Sequence, residues 1–151
     1  MGRVLFFSII MILTGCRSSG PDLSQFASGN EGTWSVYEGT LPCADCSSIK
    51  TRLELFNDPN NVEPPYIMKL AYLGTKDGDQ AVIDHGIYRS EAGTFRGAPA
   101  TFFLLDPDKE GKQRQFVRTA GDTLILVDRN RNEIRSEQNH SLIRTTTINE
   151  R

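Results

Sequence analysis

The sequence predicts an all-β domain, a small antiparallel barrel of about eight strands. Three observations carry this. Short segments alternating bulky and polar residues recur across residues 34–146. Turn-forming clusters separate them roughly every ten to fifteen residues. No stretch shows a long helical period. Closing such a series into a barrel removes exposed strand edges.

Trp34–Glu38 alternates bulky with small or polar residues, as a half-buried strand does. Pro42–Ser48 is compatible with a single helical turn. Ile49–Phe56 alternates most clearly: Ile49, Thr51, Leu53 and Leu55 share one face, and Lys50, Arg52 and Glu54 the other. The cluster Asn57-Asp58-Pro59-Asn60-Asn61 is a turn. Tyr66–Leu73 is the next strand, followed by a hairpin loop over Gly74–Asp79. Val82–Arg89 contains Gly86, the mark of a bulge or a barrel bend. Gly93, Gly97 and Pro99 suggest a loose loop over Arg89–Ala100. Ala100–Leu105 is strongly apolar and stops at Asp106-Pro107. Gln115–Arg118 and Thr123–Val127 flank Ala120-Gly121-Asp122, and Asp128–Asn132 is another turn. Ser141–Thr146 closes the domain, and residues 147–151 read as a frayed tail.

The N-terminus carries a different signal. Arg3 is followed by an apolar run, Val4–Leu13, and then by Leu13-Thr14-Gly15-Cys16. Ten residues make a helix of about 15 Å, half the ~30 Å hydrocarbon core, so the run is too short for a stable span. The pattern is that of a bacterial lipoprotein signal, residues 1–15, with lipidation at Cys16. Several acyl chains on one cysteine anchor a protein stably, whereas a single chain does not. Arg17 stands where an Asp retains enteric-type lipoproteins in the inner membrane. The expected location is therefore the outer membrane, facing the periplasm, reached through the lipoprotein sorting machinery. Residues 16–33 form a polar tether rich in Ser and Gly.

Removing Arg3 from 17 basic residues leaves 16 against 19 acidic ones, a net charge of −3. That balance excludes a nucleic-acid partner, which needs a concentrated basic face. Two histidines in the whole chain leave general-base catalysis without material, and Ser47-Ser48 has no nearby base. A catalytic site is not expected, and the protein is read as a binding protein rather than an enzyme.

With Cys16 assigned to lipid, two cysteines remain, in Cys43-Ala44-Asp45-Cys46. Three readings are open. An oxidising compartment favours a structural disulfide. A close-spaced, exposed pair can instead act as a redox sensor. Reduced and deprotonated, two thiolates suit soft Cu(I). Thioredoxin-like catalysis lacks its βαβ setting, and Asp45 disfavours a thiolate. Met68, His85 and His140 are isolated in sequence, so further copper ligands are sparse. Asp77, Asp79 and Asp84 hint at a cation site but read better as solvated turn acids. Trp34, Tyr37, Tyr66, Tyr72, Phe102 and Phe103 could line a cavity and are more simply the core.

The run Tyr37-Glu38-Gly39-Thr40-Leu41-Pro42-Cys43-Ala44-Asp45-Cys46, followed by Ile49–Leu55, resembles the N-terminal domain of the NlpE family. Gly121–Ile134 and Asn139–Leu142 fit the closing strands of the same family. The resemblance covers roughly residues 36–144. It implies a lipocalin-like β-barrel in an outer-membrane lipoprotein. It further implies a link to copper tolerance, surface sensing and signalling to an inner-membrane sensor kinase. Longer members carry a second, OB-like domain with its own cysteine pair. The present sequence stops short of it, so roles resting on that domain are not expected. A lipocalin-like carrier of small ligands is the alternative reading, and it requires a connected apolar cavity.

Overall fold

Eight strands form in the computed structural model, which describes residues 32–119 and 121–149. They are β1 (Thr33–Leu41), β2 (Ser48–Asn57), β3 (Pro65–Leu73), β4 (Gln80–Phe95), β5 (Ala98–Leu105), β6 (Arg114–Arg118), β7 (Thr123–Val127) and β8 (Ser141–Asn149). Each strand pairs antiparallel with the next, and β8 returns to β1 to close the barrel. No helix occurs among the described residues. The leader, Cys16 and the tether up to residue 31 lie outside them.

The period-two pattern builds the interior. Tyr37 and Leu41 of β1, Leu53 and Leu55 of β2, Met68 and Leu70 of β3 and Tyr88 of β4 point inward. Phe103, Leu105, Phe116, Leu124 and Leu142 complete one contiguous cluster fed by all eight strands. Thr51 shares the inner face of β2 with Leu53 and Leu55 and is equally buried. Burying each such side chain contributes on the order of 1.5–3 kcal/mol, the main favourable term in the fold.

Four expectations need correction. Residues 44–47 form bends after an irregular 42–43, with no helical turn. β8 continues past Thr146 to Asn149, pairing Thr147, Ile148 and Asn149 with Ser35, Trp34 and Thr33, so this stretch is a closing strand rather than a tail. No loose loop occupies residues 89–100. β4 runs to Phe95 and turns into β5 through Arg96 and Gly97. Both turn residues have positive φ (52° and 78°), as a tight two-residue hairpin demands. Gly93 serves packing, because a Cβ there would lie 2.8 Å from the Phe102 ring. Nor does Gly86 bulge: the β3–β4 register passes through it unbroken, opposite Tyr66.

Just beyond Gly86, β4 changes partner. Gln80–Ile87 pairs with β3, and Tyr88–Phe95 pairs with β5. A polar cluster holds this seam. Buried Asp106 accepts hydrogen bonds from the Tyr66 hydroxyl (2.8 Å) and from Lys109 (2.8 Å). A Cβ on Gly86 would fall 2.2 Å from Asp106 Oδ1, so only glycine admits the carboxylate. Arg114 crosses the seam to Asp84 at 2.9 Å.

A second apolar cluster lies outside the barrel. Phe95, Phe102, Val117 and Val127 pack on the opposite side of β4–β7 from the main core. The β7–β8 connection folds over this side. Arg131 stacks on Phe102 and pairs with Glu91, while Arg96 pairs with Glu133.

Candidate functional site

The Cys43-Ala44-Asp45-Cys46 loop joins β1 to β2 at one mouth of the barrel. Leu41 opposite Ile49 is the last pair of the β1–β2 ladder, and Pro42, which has no N–H to donate, follows it. Cys43 and Cys46 form a disulfide with Cα atoms 5.3 Å apart. Both are half-buried, while Ala44 and Asp45 between them are exposed. The exit of the loop is docked on β3, where the Ser47 N–H donates to the Leu73 carbonyl at 2.8 Å. Gly74 lies against this contact. Its φ is +66°, and a Cβ there would sit 2.3 Å from Ser47 Oγ.

Facing the disulfide is the β3–β4 turn. The Gly74 N–H donates to Asp79 (2.8 Å) and the Gly78 N–H to the Thr75 carbonyl (3.1 Å), which fixes the turn. The two loops enclose an open cavity of about 450 Å³ with the disulfide in its wall, and a separate groove of about 590 Å³ runs over the outer face of β1–β4. Ile49 and Tyr72, paired across β2 and β3, lie at the base of the mouth cavity, and Lys76, Asp77 and Gln80 stand opposite the cysteines. Below it the barrel axis is taken up by the packed inward side chains. A lipocalin-like calyx running down the barrel is therefore not what these residues build. The carrier reading is confined to the mouth.

The predicted site residues separate clearly. Cys43 and Cys46 come together. Cys16 lies outside the described residues. Met68 is fully buried in the core with Arg114 on its sulfur at 3.6 Å. His85 is exposed on β4, and His140 bonds Ser136 in the β7–β8 connection at 2.7 Å. None of these three lines the cavity beside the cysteines. The donor set at the mouth would thus offer Cu(I) the two thiolates of the reduced pair, with no further sulfur or imidazole among the lining residues and the carboxylates of Asp45 and Asp77 nearby. The hairpin acids are placed otherwise than as a cation site: Asp79 caps Gly74 and Asp84 pairs with Arg114. Of the aromatic residues, Tyr37, Tyr66 and Phe103 fill the core and Tyr72 reaches the mouth. Trp34 packs instead on Phe56, with ring centroids 5.1 Å apart, and Phe102 lies in the outer cluster beside Phe95.

Two buried phenols and one carboxylate are electrostatically tuned. Burial raises Tyr66 well above its ordinary pKa of 10.0, and the hydrogen bond to Asp106 adds to it. Burial does the same for Tyr88, whose hydroxyl donates to the Phe56 carbonyl at 2.7 Å. Burial pushes Glu54 upward, but hydrogen bonds from Arg52 and Lys69 outweigh it and hold the carboxylate low. These groups secure the barrel wall. Sequence reading missed the Tyr66–Asp106–Lys109 cluster because its members are scattered along the chain. The one local hint was a glycine inside a strand.

Comparison with known proteins gives a consistent picture. The family model for the NlpE N-terminal domain matches residues 37–137. Lipoprotein NlpE of Escherichia coli (strain K12) is 30% identical over 106 residues, 70% of this chain. The chain spans about two fifths of that relative's length, the match covering 39% of it. No solved structure matches.

Proposed function

The chain belongs to the NlpE N-terminal domain family, and from that premise we propose that it is a non-catalytic envelope lipoprotein that senses copper or envelope stress through Cys43 and Cys46. In this reading Cys16 carries the lipid that holds the barrel on the outer membrane, facing the periplasm. The receiver is an inner-membrane sensor kinase.

One observation supports the reading above the others: the disulfide is half-buried at an open mouth, outside the packed core. A pair so placed can be reduced without disturbing the barrel. A dithiol reductant of the envelope, itself oxidised to a disulfide, would convert the bond to two thiols facing the cavity, and on losing their protons these suit soft Cu(I). The surrounding oxygen donors add little for so soft an ion. The same opening of the loop would alter the face shown to a partner.

The test replaces both cysteines, Cys43→Ser with Cys46→Ser, at matched envelope levels. Copper tolerance and an envelope-stress reporter are then compared with wild type. The proposal expects at least one of the two responses to be lost. Unchanged tolerance and unchanged signalling would reduce the pair to a brace.

A further inference from the structure

Among the described residues, closure of the barrel leaves an apolar stretch of β4 edge without a strand partner. Gln80–Ile87 of β4 bonds to β3 on one side, but β5 reaches β4 only from Tyr88 onward. The direction of the backbone groups follows from two hydrogen bonds. The Tyr88 N–H donates to the Pro64 carbonyl, toward β3, and the Ile87 carbonyl accepts from the Asp106 N–H, toward β5. Alternation along an antiparallel strand then turns the N–H and C=O groups of Ala81, Ile83 and His85 to the open side. Residues 80–83 are all exposed, with Val82 at 45% and Ile83 at 65%.

Natural edge strands are blunted by Lys, Pro, bulges or cover. The stretch Gln80-Ala81-Val82-Ile83-Asp84-His85 has neither Lys nor Pro, and its pairing with β3 has no bulge. Its single formal charge, Asp84, is engaged by Arg114. We infer that this edge pairs with the same edge of a second copy, antiparallel about a twofold axis at Ile83. The geometry suits that register. Odd-numbered residues face one another, so Ile83 opposes Ile83 and Ala81 opposes His85. Asp84 meets Val82, and no like charges are set opposite each other.

A second overhang exists on β8, which pairs with β7 only through Ile143. Joining unlike edges, β4 to β8, would leave an open edge at each end and grow without limit. The twofold arrangement closes after one partner. The edge is about 20 Å long at the usual rise per residue. That strip buries less than the roughly 1,000 Å² of a stable interface. The dimer is therefore weak and rises with local concentration.

Site-directed cross-linking in the intact envelope tests this, using the full chain. Ile83→Cys is placed in the Cys43→Ser, Cys46→Ser background, with Lys50→Cys on the outer face of β2 as control. Mild oxidation is expected to give a covalent homodimer from Ile83→Cys and none from Lys50→Cys. Co-expressed Ala81→Cys and His85→Cys chains should cross-link to each other. Adding Ile83→Lys, whose side chain is exposed, should abolish that second cross-link without unfolding the barrel. Equal products from the control, no dimer, a link to a different protein, or a link from Ile83→Cys to Thr147→Cys would each overturn the proposal.

Discussion

Reduction of the Cys43–Cys46 bond should leave the barrel folded. The bond closes a loop of four residues, for which chain entropy gives a stabilisation of about 2 kcal/mol. The ladder limits the loss further. Leu41 pairs with Ile49 on one side of the loop, and Ser47 bonds Leu73 on the other, so both ends stay in place without the sulfur bond. Domains of this size are stable by about 5–15 kcal/mol, so a loss of about 2 kcal/mol is tolerable. The corresponding fall in Tm is roughly 6–12 °C. Urea denaturation of the oxidised protein, the reduced protein and the Cys43→Ser/Cys46→Ser variant measures this directly. All three should unfold cooperatively, the last two with nearly the same midpoint. A loss above about 4 kcal/mol, or a reduced protein without a cooperative transition, would refute the argument from loop length. The pair would then be a brace the fold depends on, unable to switch without unfolding.

Other outcomes follow from the core and the seam. Gly86→Ala drives a Cβ into Asp106 and breaks its bonds to Tyr66 and Lys109, so it should cost about 2–3 kcal/mol, read from the urea midpoint. Leu142→Ala removes a fully buried side chain of the closing strand and should cost about 2–5 kcal/mol by the same measure. Tyr66 and Tyr88 have raised pKa values, so their contribution is present below pH 10 and is lost as pH rises through the folded values. Glu54 is depressed, so its contribution is present above its ordinary pKa of 4.5 and is lost as pH falls through the folded value. A plot of urea midpoint against pH should therefore fall at both ends, and a flat alkaline limb would contradict the burial of the phenols. Arg131→Ala should speed hydrogen exchange in residues 128–140 with little change in the global midpoint, since it releases only the Glu91 pair and the Phe102 stacking.

The strands were legible because their alternation is local. Ile49–Phe56 declared both faces of β2, and the turn residues at Gly74–Asp79 and Asp128–Asn132 fold as turns. What sequence reading missed was set by distant contacts. Gly93 and Pro99 read as loop breakers, yet Gly93 makes room for Phe102 and Pro99 sits in β5 opposite Thr94. Gly86 read as a bulge or a barrel bend; the register shows no bulge, and the missing Cβ admits a carboxylate twenty residues away. Residues 147–149 lack apolar alternation and looked like a tail, although pairing with β1 orders them. At the site, the cysteine spacing foretold the pair. The cavity beside it comes from the β3–β4 turn, which no local motif connects to those cysteines.

The central claim is that Cys43 and Cys46 change state in response to the envelope while the barrel stays intact. The most direct measurement is thiol trapping with a mass-adding alkylating agent, performed in cells at rest, under copper and after loss of periplasmic oxidation, with protease resistance of the barrel recorded alongside. The account predicts an unmodified, oxidised pair at rest. Under at least one stress it predicts an alkylated pair or a copper-protected one, with the barrel still resistant. A pair that stays fully oxidised while the stress response is active would contradict it.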